Sequence, residues 1–434
     1  MFFEKIAKKF NLSETKAKVI SNVIWAVAGK VITLLSVLFV GILVARYLGP
    51  AQYGKMNYVI SIISLFTVLS QFGMDNILVR ELSKKEFSTN EILGTSLRLR
   101  ILLAVTTIVL ILTYVLLAAE ETDVSMMIMI YSLSMIFQSF DIIRHYFTSI
   151  VENEYIVKTE IGRTIFSAGI KIVLLLLKAP LYAFIIALVF DFVFLASGYL
   201  MSYRKKGGSV KEWRYNKKIA RYLLKTSFPL LLSGGAVVVY QRIDQVMIAN
   251  MLNDIQLGYF STAASFVNVV LFIPQILATT VTPILVRYYK EDRERYEKES
   301  LRFIRFATWG VIAISLIVMI ISYPLIRYTY GLEYIVAVPV LQILVFKSVG
   351  MTLSSTSGQL IIIEGIHKYA AIRNLLACGV CVICNYALIP KYGIIGSAWA
   401  TIVTVMFQGW FANVFITKYR MLFIKQCKAV FAIK

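Results

Sequence analysis

The chain is divided into solid apolar blocks, each about as long as a lipid bilayer is thick. Residues 101–119, 181–200 and 307–323 are examples. Each approaches the ~20 apolar residues that a helix needs to cross ~30 Å of hydrocarbon. Alternating polar and apolar positions, the mark of a membrane barrel strand, do not occur in these blocks. Only 16% of the 434 residues are charged and 59% are hydrophobic, whereas a soluble domain has roughly 25% charged residues. The fold class that follows is an all-α integral membrane protein of about twelve transmembrane helices.

Where the charge lies sets the orientation. The net charge of +21 would suggest nucleic acid in a soluble chain, but here the basic residues gather in short segments between apolar blocks. Cutting at charge clusters and at Gly and Pro gives helices near 19–46, 56–80, 97–119, 124–150, 155–178 and 180–203. A second set follows near 220–252, 256–289, 301–328, 335–363, 369–388 and 393–418. With the amino terminus inside, the inner segments hold 36 Lys and Arg, and the outer ones hold five: Arg46, Lys55, Lys178, Arg327 and Lys391. That imbalance predicts both termini on the cytoplasmic side. Residues 1–18 read as an amphipathic cytoplasmic terminus, with Phe2, Phe3, Ile6 and Phe10 opposite Lys5, Lys8 and Lys9. Asn11 and Glu14 resemble a capping box ahead of the first span.

The helices fall into two sets of six. A basic linker at 204–219 separates 19–203 from 220–418, and a basic tail covers 419–434. Val44-Ala-Arg-Tyr-Leu-Gly-Pro-Ala-Gln-Tyr-Gly54 aligns without gaps on Ile248-Ala-Asn-Met-Leu-Asn-Asp-Ile-Gln-Leu-Gly258. Ala, Leu, Gln and Gly coincide at a constant offset of 204, and each segment joins the first helix of its half to the second. That is the pattern of parallel six-helix repeats.

Four cations remain inside spans: Lys30, Lys171, Arg242 and Lys347. Asp191 and Asp244 share that setting. At about 1.5 Å per residue, Lys30, Arg242 and Lys347 sit near mid-bilayer, where a lipid-facing charge costs roughly 2.5–3.5 kcal/mol. They therefore face a wet cavity or one another. Arg242 and Asp244 are two apart, on different helix faces, and each looks toward another helix. A cavity holding this set has a positive balance and attracts an anion such as a phosphate or an acidic sugar. Asp191 or Asp244 then becomes a candidate proton or sodium site. The plainer reading is salt bridging between helices, with Lys171 snorkelling outward. Pro229, Pro274, Pro283, Pro324 and Pro339 lie in or beside spans of the second half and can kink them.

Cys378, Cys381 and Cys384 have CxxCxxC spacing, but they sit in the apolar stretch 375–388 without the fourth Cys and Pro of a ferredoxin run. Small side chains packing between helices account for them. With His145 and His367 the only histidines, neither a metal nor a cofactor is expected.

Three segments bear a family resemblance. Ala45-Arg-Tyr-Leu-Gly-Pro-Ala-Gln-Tyr-Gly54, continued by Gln71-Phe-Gly-Met-Asp-Asn-Ile-Leu-Val-Arg-Glu81, resembles the opening helix pair of the polysaccharide repeat-unit flippases, the O-antigen and capsule exporters. Arg242-Ile-Asp-Gln-Val-Met-Ile248 with Leu257-Gly-Tyr-Phe-Ser-Thr-Ala-Ala264 looks like their seventh and eighth helices. Lys391-Tyr-Gly-Ile-Ile-Gly-Ser-Ala-Trp-Ala400 is similar to the start of their last. The resemblance covers nearly the whole chain. It implies membership of the multidrug/oligosaccharidyl-lipid/polysaccharide (MOP) exporter superfamily, with a MATE-like fold of two six-helix bundles around a central cavity.

The expected function is that of a flippase in the bacterial plasma membrane, not an enzyme. It would carry a polyprenyl-diphosphate-linked oligosaccharide from the inner to the outer leaflet by alternating access, for surface polysaccharide biosynthesis. The expected substrate ligands are Lys30, Arg242 and Lys347, with Lys171 beside them. The expected partners are that lipid-linked glycan, membrane lipid, H+ or Na+ as coupling ion and polysaccharide assembly proteins, around a functional monomer. A MATE-type drug antiporter shares the fold but calls for a cavity richer in acids than in bases. A peptidoglycan lipid-precursor flippase often carries extra helices. A polysaccharide polymerase needs a larger outer loop than any found here.

Overall fold

The computed structural model describes residues 14–431 other than 85, 119–120 and 367–368, with side chains from residue 33 onward except those of 118 and 279. The expected surface helix over 1–10, Asn11 of the capping box, His367 and the side chain of Lys30 lie outside the described residues. Among the described residues every regular element is helical, because hydrocarbon offers no partner to a backbone N–H or C=O and a helix pairs them within itself. Lipid-facing hydroxyls follow the same rule. Thr106 donates to the carbonyl of Leu102 at 2.9 Å and Thr113 to that of Val109 at 3.0 Å. Leu116, Leu117, Phe306 and Ile320 stand exposed, as side chains in contact with lipid do.

The α-helices are α1 (Glu14–Gln71), α2 (Asp75–Lys84), α3 (Thr89–Ala118), α4 (Thr122–Ser132), α5 (Ser134–Gln138), α6 (Ile142–Ser149), α7 (Asn153–Leu176) and α8 (Leu181–Lys205). They continue with α9 (Lys217–Met251), α10 (Asp254–Glu291), α11 (Arg293–Thr329), α12 (Ala337–Leu344), α13 (Lys347–Ile363), α14 (Ala370–Met406), α15 (Ala412–Phe415) and α16 (Arg420–Val430). Nine stretches among the described residues are long and apolar enough to cross a membrane. Two of these, Thr33–Lys84 and Ala370–Phe415, run to 52 and 46 residues, far beyond one crossing. Each contains a glycine with positive φ, Gly49 (71°) and Gly393 (59°), a conformation that L side chains resist. Reading each as two crossings, and adding α7, gives the twelve expected from the apolar blocks. Pro229, Pro274, Pro283 and Pro324 are inside helices, while Pro339 sits in the first turn of α12, where a missing N–H costs little.

The chain forms two compact units. Unit 1 takes the residues up to Gly41 and Leu69–Phe228, and unit 2 takes Ile42–Val68 with the residues from Pro229 on. The boundaries therefore fall inside helices, the last of them at a proline, and not in the basic linker.

In unit 1, Leu78, Leu93, Ile143, Phe147, Tyr199 and Tyr203 form a core that Trp213, Ile219 and Leu223 complete. The linker is fastened down. The Trp213 indole donates to the Tyr203 hydroxyl at 3.1 Å, Arg214 N donates to the Asn90 carbonyl, and Asn216 N to Thr95 Oγ1 at 2.9 Å. Gly94 allows this approach, since a Cβ there would overlap the backbone of Arg214.

In unit 2 the two repeated segments meet each other. A Cβ on Gly54 would overlap the carbonyl of Asp254, and one on Gly258 would overlap that of Pro50. Because Pro50 and Asp254, like Gly54 and Gly258, are related by the repeat, the crossing has local two-fold character. Both segments break their helix at the same register by different means. Gly49 turns before Pro50, and Asn253 caps α10 through its side chain, which accepts from Gln256 N at 2.9 Å. Ser61 donating to Gln245 at 2.6 Å and Tyr334 donating to the Ala45 carbonyl at 2.6 Å tie this hairpin into the unit.

The basic tail is also packed. Gln426 of α16 is fully buried, donates to the carbonyls of Leu353 and Gly409 and accepts from Asn413. Lys425 reaches Glu297 at 2.8 Å and Glu364 at 3.4 Å.

Candidate functional site

Unit 2 buries its charge along α9, α13 and α14. Asp244 on α9 is 1% exposed and accepts hydrogen bonds from Gln245 N at 2.8 Å and Thr401 Oγ1 at 3.3 Å. The positive charges of Lys347, at the head of α13, and of Arg242, two residues along α9, act on this carboxylate. Neither cation forms an ion pair or hydrogen bond with another described residue. Both are half-buried. Two of the residues expected to line a cationic cavity therefore share one electrostatic neighbourhood with one of the two expected aspartates.

Arg373 adds a third cation. It lies near the start of α14, 5% exposed, and donates from Nη1 to Ser357 Oγ at 3.3 Å. Among the described residues no carboxylate lies within ion-pair distance of it, and its Nε has no partner. Its neighbours are polar. Asn374 Nδ2 donates to Ser233 Oγ at 3.1 Å, and Gln408 donates to Asn374 Oδ1 at 3.2 Å while its own Oε1 stays unpaired. Gln408 belongs to a π-helical turn, Phe407–Phe411, a local widening common at functional sites. Farther along α14, Ser397 donates to Asn385 Oδ1 at 2.7 Å. Cys381 is buried beside the Tyr240 carbonyl, and Cys378 and Cys384 are half-buried.

Arg373 belongs, by charge counting, with the inner loop at 364–373. The signal that marks it as buried is its spacing: Arg373, Ala377, Cys381 and Asn385 repeat every fourth residue and form one covered stripe of α14. Arg100 was hidden by the same count. It is 2% exposed in α3 and bonded to Asp75, which also receives His145 Nε2 at 3.1 Å.

In unit 1, Lys171 and Asp191 face each other. Lys171 Nζ stands 3.3 Å from Asp191 Oδ2, and Ser167 bridges them, accepting from Nζ at 2.7 Å and donating to Oδ2 at 2.9 Å. The pair bridges α7 and α8, and Lys171 turns to Asp191 instead of snorkelling outward as the plainer reading had it. Asp191 Oδ1 remains without a partner. Lys30 lies in α1, its side chain outside the described residues.

These deep charges of unit 2, Arg242, Lys347 and Arg373 against Asp244, leave a positive excess. Against known proteins, the family profile described as "Polysaccharide biosynthesis protein" matches residues 43–339. The chain belongs to that family. Among curated relatives, the capsular polysaccharide biosynthesis protein CapF of Staphylococcus aureus is 21% identical over 393 residues, covering 87% of this chain and 94% of its own. Among solved structures, the lipid II flippase MurJ in an inward closed conformation aligns with a TM-score of 0.72 at 15% identity, covering 94% of this chain and 90% of that one. An inward-facing MATE family multidrug transporter of the MOP superfamily aligns with a TM-score of 0.68 at 14% identity, covering 90% and 96%. The fold is that of MATE and MurJ transporters, and the protein is a multi-pass membrane protein.

Proposed function

We propose that this protein flips a polyprenyl-diphosphate-linked oligosaccharide from the inner to the outer leaflet of a bacterial plasma membrane by alternating access, for surface polysaccharide biosynthesis. The observation that carries the reading is the positive excess inside unit 2 of a chain from a polysaccharide biosynthesis family. Arg242 and Lys347 act on the carboxylate of Asp244, and Arg373 is buried on α14 with no carboxylate of a described residue within ion-pair distance. A diphosphate supplies the missing negative charge and accepts charge-assisted hydrogen bonds from Arg242 and Lys347. The lipid tail need not enter, because the bilayer solvates it throughout.

In this reading Arg242, Lys347 and Arg373 hold the diphosphate or acidic sugars. Lys30 and Lys171 are further candidates. Asp244, poised among cations, is the first candidate for a coupling proton or sodium ion, and Asp191 is the second. The protein works as a monomer without catalysing a covalent step, and both termini face the cytoplasm. A drug antiporter of the MATE branch would need acids in excess where this chain has bases.

Deleting the gene in a strain with no redundant exporter should leave lipid-linked repeat units on the cytoplasmic leaflet, and the wild-type gene should restore their export. Arg242→Ala and Lys347→Ala should each lower export by about tenfold to a hundredfold, the worth of a hydrogen bond to a charged group, at unchanged protein level. Export at the wild-type rate in both variants would return these residues to packing roles, and normal export in the deletion strain would end the flippase reading.

A further inference from the structure

A second concentration of charge lies outside that set, on the surface of unit 1. Lys217, Arg221 and Lys225 follow one another at four-residue intervals on α9, so at about 1.5 Å per residue they form a ridge about 12 Å long. None of the three has an ion-pair or hydrogen-bond partner among the described residues, and all are exposed. Beside the ridge is an open crevice of about 750 Å³, walled by Phe72, Leu99, Leu102, Leu224 and Phe228. That volume is within the ~300–1,000 Å³ of ligand-binding clefts. Tyr215 lies at one end, with the Arg98 guanidinium 5.6 Å over its ring.

The wall and the ridge ask for different things. Leu102 and Phe228 are more than half exposed, which in water would leave bare hydrocarbon beside three unpaired cations. In a membrane, the combination suits a molecule with an anionic head and an apolar tail. Unit 1 pairs two of its deeper cations, Lys171 with Asp191 and Arg100 with Asp75. Among the described residues no carboxylate lies within ion-pair distance of this ridge, and the positive end of the α9 dipole adds to it.

We propose that the crevice is a site for an anionic glycerophospholipid of the surrounding leaflet. The phosphate rests on Lys217, Arg221 and Lys225, and the upper acyl chain lies along Leu102, Leu224 and Phe228. The bound lipid covers the start of α9 up to Phe228, where unit 1 ends. This inference does not rest on the flippase reading, since it needs only that unit 1 lies in a bilayer.

The test uses the full-length protein purified in a neutral detergent and titrated separately with dioleoylphosphatidylglycerol, dioleoylphosphatidylcholine, undecaprenyl phosphate and inorganic phosphate. Bound adducts are counted by native mass spectrometry, and thermal stability is followed in parallel. Phosphatidylglycerol should bind and raise the Tm, while phosphatidylcholine and inorganic phosphate should not. The triple variant Lys217→Gln/Arg221→Gln/Lys225→Gln should bind phosphatidylglycerol on the order of 100-fold more weakly, from three cations near an anionic lipid. A control triple, Lys205→Gln/Lys206→Gln/Lys211→Gln, should bind as the wild type does. Should the first triple not fold, Arg221→Gln and Leu102→Gln, made singly, must each weaken phosphatidylglycerol binding. Equal binding of the two phospholipids, equal loss in both triples, no loss in the single variants, full competition by inorganic phosphate, or preferential binding of undecaprenyl phosphate would each overturn the proposal.

Discussion

At Asp191 a carboxylate buried between helices keeps a cation within 3.3 Å, whereas at Arg373 a cation is buried with no carboxylate of a described residue within ion-pair distance. The contrast separates two uses of charge inside a membrane protein. Lys171 and Asp191 neutralise each other, and their cost has been met within unit 1. Lys171→Met would strand Asp191 with only Ser167 to satisfy it, costing roughly 3 kcal/mol or more. Lys171→Met/Asp191→Leu should recover most of that loss, because an apolar pair of similar volume is close to neutral there. Thermal unfolding in detergent checks both. If Lys171→Met retained wild-type stability and lost export, the pair would belong to transport and not to packing. Arg373 behaves otherwise, since its neighbours Ser357, Asn374 and Gln408 supply dipoles but no charge.

The elements show why glycine ends both copies of the repeat. At Gly54 and Gly258 two helix starts touch through backbone atoms, and a methyl group on either would force them apart. Gly54→Ala is expected to cost roughly 1–3 kcal/mol, in the range of overpacking at a close contact. Gly169→Ala, in α7 with open space around it, should be neutral or stabilising. Chemical denaturation in one detergent distinguishes the two. Much of this architecture was legible in the sequence, because lipid demands long unbroken apolar runs and their breaks carry Gly49-Pro50 or an Asn cap. Less legible was everything that short polar segments do. The linker around Trp213 and the tail helix α16 read as charge runs because their buried residues, Trp213 and Gln426, are single side chains among many Lys and Arg. Arg100 and Arg373 were lost for a related reason. A count of basic residues by segment cannot tell the last solvated turn of a helix from its first buried one. Arg242, Lys347 and Asp244 were legible because mid-span charge has no innocent reading in hydrocarbon. That α9, α13 and α14 bring them together depends on packing that spacing alone does not express.

For the whole molecule, the proposed orientation rests on 36 basic residues against five. In a variant lacking Cys378, Cys381, Cys384 and Cys427, Lys391→Cys should react with an impermeant maleimide added to intact cells. Lys211→Cys should react only after the membrane is opened, and the reverse pattern would invert the topology. The strapped linker also bears on the order in which the protein is made. Trp213, Ile219, Ala220 and Leu223 complete the core of unit 1, yet they emerge from the ribosome after all six spans that precede them. A nascent chain halted at residue 205 leaves Tyr199, Tyr203 and Leu93 uncovered at the membrane surface. The first bundle thus stays unfinished until translation has passed Leu223 and the second half has begun to emerge.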